Sequence, residues 1–180
     1  MEKLKRILIN LGLFLTFLII YFLQVNVFSW FRIFGIMPNL FVILTLFIGL
    51  FYNKIAGVTY GIFFGILLDL FIGKKVGISA IMLGIIGLIG GIFDKNFSKE
   101  SRLTIMIMVF FSTIVFESGL YFIGCLIFKN SIEILPFIKI LLVEAIFNVL
   151  ITIIVYPLIQ NIGYKIEEEV KGSKILTRYF

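Results

Sequence analysis

Residues 40–77 read LFVILTLFIGLFYNKIAGVTYGIFFGILLDLFIGKKVG. Over residues 40–72 the chain is apolar apart from Asn53-Lys54 and Asp69. As one helix these residues would extend about 50 Å at 1.5 Å per residue, well beyond a hydrocarbon layer about 30 Å thick. The chain therefore breaks at Tyr52-Asn53-Lys54, leaving a short second span and a third span over residues 55–72. The second is short enough to be read in two ways: as a full span, or as a partial helix shielded by its neighbours.

Composition agrees with that reading. Of 180 residues, 61% are hydrophobic and 14% charged, against roughly 45–50% and about 25% in a soluble domain. So large an apolar excess has no aqueous core to fill and must face lipid. The fold class expected is all-α: a polytopic membrane protein of about six transmembrane helices, with no separate soluble domain. The absence of histidine removes imidazole bases, His metal ligands and histidine proton relays. A single cysteine, Cys125, excludes an internal disulfide and a cysteine metal cluster. The net charge of +6 belongs to helix ends rather than to a nucleic-acid face, because no soluble fold is available to present one.

Working outward, residues 7–28 form a first apolar run behind Lys3, Lys5 and Arg6. It is too long for a signal peptide and lacks a small-residue cleavage site, so it reads as a retained anchor. Trp30, Phe31 and Arg32 follow as an interfacial edge, and Pro38-Asn39 opens the second helix, proline being suited to a first turn. Lys74-Lys75 make a turn into a fourth span over residues 76–93. A polar loop leads to the fifth over residues 103–128, and Pro136 starts the sixth, which runs to about residue 162. Residues 1–163 thus form one membrane domain and residues 164–180 a tail, read as a solvated or interfacial helix.

Six spans put both termini on one side. That side holds Lys3, Lys5, Arg6, Lys54, Lys95, Lys99, Arg102, Lys165, Lys171, Lys174 and Arg178, against Arg32, Lys74, Lys75, Lys129 and Lys139 on the other. Eleven cations against five make the first side cytoplasmic.

Depth then sorts the polar residues. Asp69 falls about 21 Å up the third span, Glu117 a similar distance up the fifth, and Glu144 about 12 Å down the sixth. All three carboxyls are expected in the outer half, with Gln24, Asn26 and Asn39, and with Asn148 one turn below Glu144. Charge facing hydrocarbon costs at least ~2.5–3.5 kcal/mol, so these groups should face the bundle interior, with Lys139, Lys74 or Lys75 as counter-charges. They mark either a polar cavity or partner interface, or helix-to-helix glue.

Spacing adds a second signal. Gly57, Gly61, Gly65, Asp69, Gly73 and Gly77 recur every four residues, forming one ridge along which another backbone can approach closely. Gly84, Gly87, Gly90 and Gly91 mark the fourth span as another close-packing helix. The ridge is expected to serve intramolecular packing, a docking groove for a partner helix, or both.

The basic N-terminus with its anchor, Pro38-Asn39-Leu40, the Gly57–Gly61–Gly65–Asp69–Gly73–Gly77 register, and a sixth span carrying Glu144, Asn148 and Pro157 together resemble the MreD family of rod shape-determining membrane proteins. The resemblance covers nearly the whole chain. It implies a non-enzymatic subunit of the elongasome that pairs with MreC and connects, directly or through it, to MreB filaments, the RodA glycosyltransferase and a class B penicillin-binding protein in peptidoglycan insertion. It also implies a fold similar to the substrate-binding subunits of energy-coupling-factor vitamin transporters. The candidate partner-binding or pocket residues are Asn39, Gly57, Gly61, Gly65, Asp69, Glu117, Glu144 and Asn148. No catalytic residue, metal site or cofactor is expected, and pairing with a second copy of the chain as a homodimer is left open. The alternative is a vitamin-transporter substrate-binding subunit, which the scarcity of alanine ridges (Ala56, Ala80 and Ala145 alone) argues against. An intramembrane enzyme lacks a nucleophile–base pair beside its acids, and a channel lacks a filter motif.

Overall fold

The computed structural model of the chain describes residues 2–72, 77–96, 99, 101–128 and 133–171. The Lys74-Lys75 turn, Lys129 and the last nine residues of the expected tail lie outside them. Six α-helices follow in order: α1 (Glu2–Phe22), α2 (Leu40–Phe51), α3 (Lys54–Ile72), α4 (Ile78–Asn96), α5 (Arg102–Phe128) and α6 (Ile134–Lys171). Among the described residues the nearest thing to a sheet is one isolated bridge, Ile33 with Ile36.

Four of the six helices are long and apolar enough to cross a membrane, whereas Leu40–Phe51 and Ile78–Asp94 are shorter apolar stretches. The short second element is therefore real. Its 12 residues rise about 18 Å, little more than half the hydrocarbon thickness. All but Leu44 are buried, so α2 is sheathed by protein along its length, which is how a partial helix is tolerated at membrane depth.

Hydrophobicity does not drive helix against helix in lipid, where close backbone approach and polar bonds take over. The contact among α2, α3 and α4 shows the first of these. An added Cβ at Gly57 would lie 2.6 Å from both Gly49 Cα and Gly87 O, and one at Gly61 would lie 2.7 Å from Leu83 C. At Gly65 it would strike the Ala80 backbone, with Ser79 C at 2.7 Å. No side chain fits there, so the glycine ridge is the seat of α4. A docking groove open along that ridge is not what the structure presents.

The remaining helices wrap this three-helix unit. α1 runs alongside α3 through Phe14 and Phe63, Phe17 and Phe64, and Tyr21 and Phe71, yet only Leu13 and Phe17 of its described residues are buried. α6 continues past residue 163 to Lys171 as one helix, so the first part of the expected tail is its extension. Gly163 lets this helix pass close over α2, because a Cβ there would lie 2.6–2.8 Å from the Phe51 ring. The described ends of α1 and α6 thus lie at one end of the bundle, where α2 finishes and α3 starts.

Candidate functional site

The polar residues at mid-depth are organised around the first residues of α2. A helix start leaves backbone N–H groups without intrahelical partners, and Asn39, at the N-cap position, makes no side-chain cap of its own. Two other helices supply what is missing. Asn148 of α6 accepts the Asn39 N–H at 2.7 Å through Oδ1. Gln24 accepts the Leu40 N–H at 3.2 Å through Oε1 and donates through Nε2 to the Pro38 carbonyl.

Gln24 occupies a five-residue π-helical turn, Leu23–Val27, whose wider register is closed by Phe28 N to Leu23 O at 2.9 Å. Such insertions re-aim side chains, and here the amide meets the chain entering α2. Asn148, with no exposed surface, also donates through Nδ2 to Thr113 Oγ1 at 2.9 Å. Thr113 in turn donates to Val109 O at 2.9 Å, and Thr152 to Asn148 O at 2.7 Å. One string of amides and hydroxyls thus joins the end of α1 and helices α2, α5 and α6 at a single level.

The carboxyls lie near that level. Glu117 is four residues beyond Thr113 and Glu144 four residues before Asn148, so both sit one turn, about 6 Å, beyond the Asn148–Thr113 bond on adjoining antiparallel helices. Glu144 is buried and Glu117 half-buried. Asp69 is reached from the Gly57–Gly49 contact: it lies about 18 Å along α3, where Asn39 lies about 15 Å back along α2.

Asp69 has a defined structural task. Its Oδ2 accepts N–H groups from Gly77 at 2.7 Å and Ser79 at 3.2 Å, capping the start of α4 with an acid, the favourable charge at that end of a helix. The backbone bends into α4 at Gly77 with φ +112°, a conformation glycine adopts without penalty. Asp69 Oδ1 is buried without a hydrogen-bond partner among the described residues. Of the expected counter-charges, Lys139 has its Nζ 5.5 Å from the centroid of the Phe34 ring, and Lys74 and Lys75 lie outside the described residues.

The opposite end of α2 is closed by charge. Lys99 Nζ contacts Asp94 Oδ1 and Glu167 Oε1, each at 2.6 Å, and donates to the Leu50 carbonyl at 3.4 Å. It also lies 5.2 Å from the Phe51 ring centroid. A cation there satisfies the terminal carbonyls and complements the negative end of the helix. Arg102 lies 5.7 Å from the Tyr156 ring centroid at the same end.

Of the residues singled out from sequence, Asn39 and Asn148 share a direct bond, and Glu117 and Glu144 flank it. Gly57, Gly61 and Gly65 support it from the α3–α4 contact. The double role of Gln24, the hydroxyl of Thr113, and the Lys99–Glu167 pair were not legible. A helical threonine ordinarily bonds within its own helix, and a lysine in a polar loop reads as solvated. Among the described residues there is no group of three or more Cys, Asp or Glu that would hold a metal ion.

The family model described as rod shape-determining protein MreD matches residues 5–162. No curated protein and no solved structure matches the chain, so the expected likeness to transporter substrate-binding subunits stands on the family resemblance alone.

Proposed function

Because the chain belongs to the MreD family of rod shape-determining proteins, we propose that it is a non-enzymatic adaptor of the elongasome in the bacterial inner membrane, with both termini cytoplasmic. In this reading it binds MreC within the membrane and so connects MreB filaments on one side to RodA and a class B penicillin-binding protein on the other. The observation that carries the proposal is the family match along nearly the whole chain. The polar level is compatible with it: amides and acids from four helices gather where α2 begins, in the half of the bundle away from the termini.

The glycine ridge supports the function from within. With α4 seated on it, a partner helix must meet the outer surface of the bundle, and the half-buried Glu117, beside Glu144 and Asn148, is the contact we assign. Depletion of the protein should round rod-shaped cells. Glu117→Ala and Glu144→Ala variants, accumulated to wild-type level, should recover less than a third of the MreC that the parent protein co-purifies. Full recovery by both variants removes the polar level as the docking surface. Rods maintained through depletion remove the adaptor role itself.

A further inference from the structure

Trp30, Phe31 and Arg32, the interfacial edge seen in the sequence, are taken up neither by the helix bundle nor by the polar level. Trp30 is 88% exposed, Phe31 65% and Phe34 76%, and Arg32 is exposed as well. They lie on the segment joining α1 to α2, folded back on itself by reciprocal hydrogen bonds between Ile33 and Ile36 at 2.9 and 3.0 Å. The two central residues have positive φ, +53° at Phe34 and +82° at Gly35, the signature of a type I′ turn. Glycine takes that conformation freely. Phenylalanine does so against the clash of its Cβ with the following carbonyl. Strain of this kind persists where surrounding structure or function requires it, and here it holds a ring outside the protein core.

The height of the turn is set by α6. Lys139, whose Nζ faces the Phe34 ring, precedes Gly163 by 24 residues. That is about 36 Å of helix, measured from the end of α2, where the Gly163 backbone meets Phe51. A bilayer with its headgroup layers is about 40–45 Å thick, so the turn lies in the headgroup layer of the leaflet away from the termini. Aromatic rings are common there. The distinguishing feature is charge: the exposed Arg32 lies two residues before Phe34 in the same turn, and the exposed Lys139 has its Nζ 5.5 Å from the centroid of the Phe34 ring.

We propose that this aromatic and cationic turn is a binding site for the phosphate of an anionic phospholipid. Arg32, whose planar fork matches phosphate geometry, and Lys139 hold the headgroup, while Trp30, Phe31 and Phe34 sit in the ester layer beneath it. The same segment ends at Pro38 and Asn39, so a lipid held there braces the chain over the start of α2.

Trp30 is the only tryptophan in the chain and reports on the site directly. The full protein would be placed in nanodiscs of phosphatidylcholine and titrated with phosphatidylglycerol brominated near the headgroup, with brominated phosphatidylcholine in parallel. Quenching of Trp30 should be stronger with brominated phosphatidylglycerol. Arg32→Gln and Lys139→Gln should each weaken that preference roughly five-fold while circular dichroism and elution profile stay unchanged. Phe34→Gly, which removes the ring and keeps a turn glycine favours, should reduce quenching without lowering the thermal midpoint. Equal quenching by the two lipids, or a preference indifferent to both charge changes, overturns the proposal. So does a Trp30 shielded from brominated lipid and from aqueous iodide alike, which would mean that protein covers this face.

Discussion

At Gly87 a single methyl group is enough to disturb the packing of three helices, because its Cβ would meet the Gly57 backbone, with Gly57 Cα at 2.9 Å. Backbone cannot swing aside as a flexible side chain can, so Gly87→Ala should cost about 1–3 kcal/mol, seen as a lower thermal midpoint in detergent. Gly124, whose Cβ would meet nothing within 4 Å, is the control: Gly124→Ala should leave the midpoint unchanged or raise it, since alanine is the better helix former. If both substitutions are silent, close packing at the ridge is not what holds α3 to α4. The four-residue register made this contact legible in the sequence but left its occupant open, because a ridge of glycines looks the same whether its neighbour is α4 or another chain. Asp69 shows the same limit. Its burial follows from an acid placed at membrane depth, but its role as the cap of α4 depends on how residues 77–79 turn back over it, and spacing does not encode that path.

At the scale of the element, α2 and α6 belong together. α6 is joined to α2 at both ends, by Asn148 at the start and by Gly163, Tyr164 and Glu167 at the finish, where Tyr164 meets the Phe51 ring edge-on at 5.4 Å. Pro157 lies inside α6 between these two attachments and removes one backbone hydrogen bond. The part of α6 beyond Pro157 therefore depends on its far attachment, and Lys99 is the centre of it. Lys99→Met leaves Asp94 and Glu167 without the cation they share and should cost about 1.5–3 kcal/mol, the scale of a hydrogen bond to a charged group. Hydrogen exchange should rise over residues 158–171 and stay unchanged around Asn148. A uniform rise along α6 would show the helix to be a single cooperative unit, with no separate attachment at Lys99. Sequence marked the start of α2 through Pro38-Asn39 and its end through Asn53-Lys54, since both are turn chemistry on a purely apolar background. It marked the tail as helical but set it apart from the sixth span, and its continuity with α6 brings Gly163 against the Phe51 ring, a contact that spacing does not encode.

For the whole molecule, the helix directions fix which described groups share an end, and the orientation proposed above, with the termini cytoplasmic, rests on charge. α1 and α3 run together, α6 returns, and the Lys99 cluster marks the end where the described chain starts and finishes. Among the described residues nine basic positions (Lys3, Lys5, Arg6, Lys54, Lys95, Lys99, Arg102, Lys165 and Lys171) fall at that end against Arg32 and Lys139 at the other, an imbalance of the kind that orients helices during insertion. Cys125, the only cysteine in the sequence and partly exposed, lies twelve residues past Thr113 on α5. It is therefore about 18 Å further toward the opposite end, the end that carries Phe34 and Lys139. A membrane-impermeant maleimide should thus label Cys125 in intact spheroplasts. Lys165→Cys in a Cys125→Ser background places the thiol on the exposed face of the α6 extension and should react only after permeabilisation. The reverse pattern would turn the molecule over, put the Arg32–Lys139 turn against the inner leaflet, and move the acids of the polar level to the cytoplasmic half. The adaptor reading requires the first orientation, because MreC can then meet Glu117 from the side of the membrane where the cell wall is built.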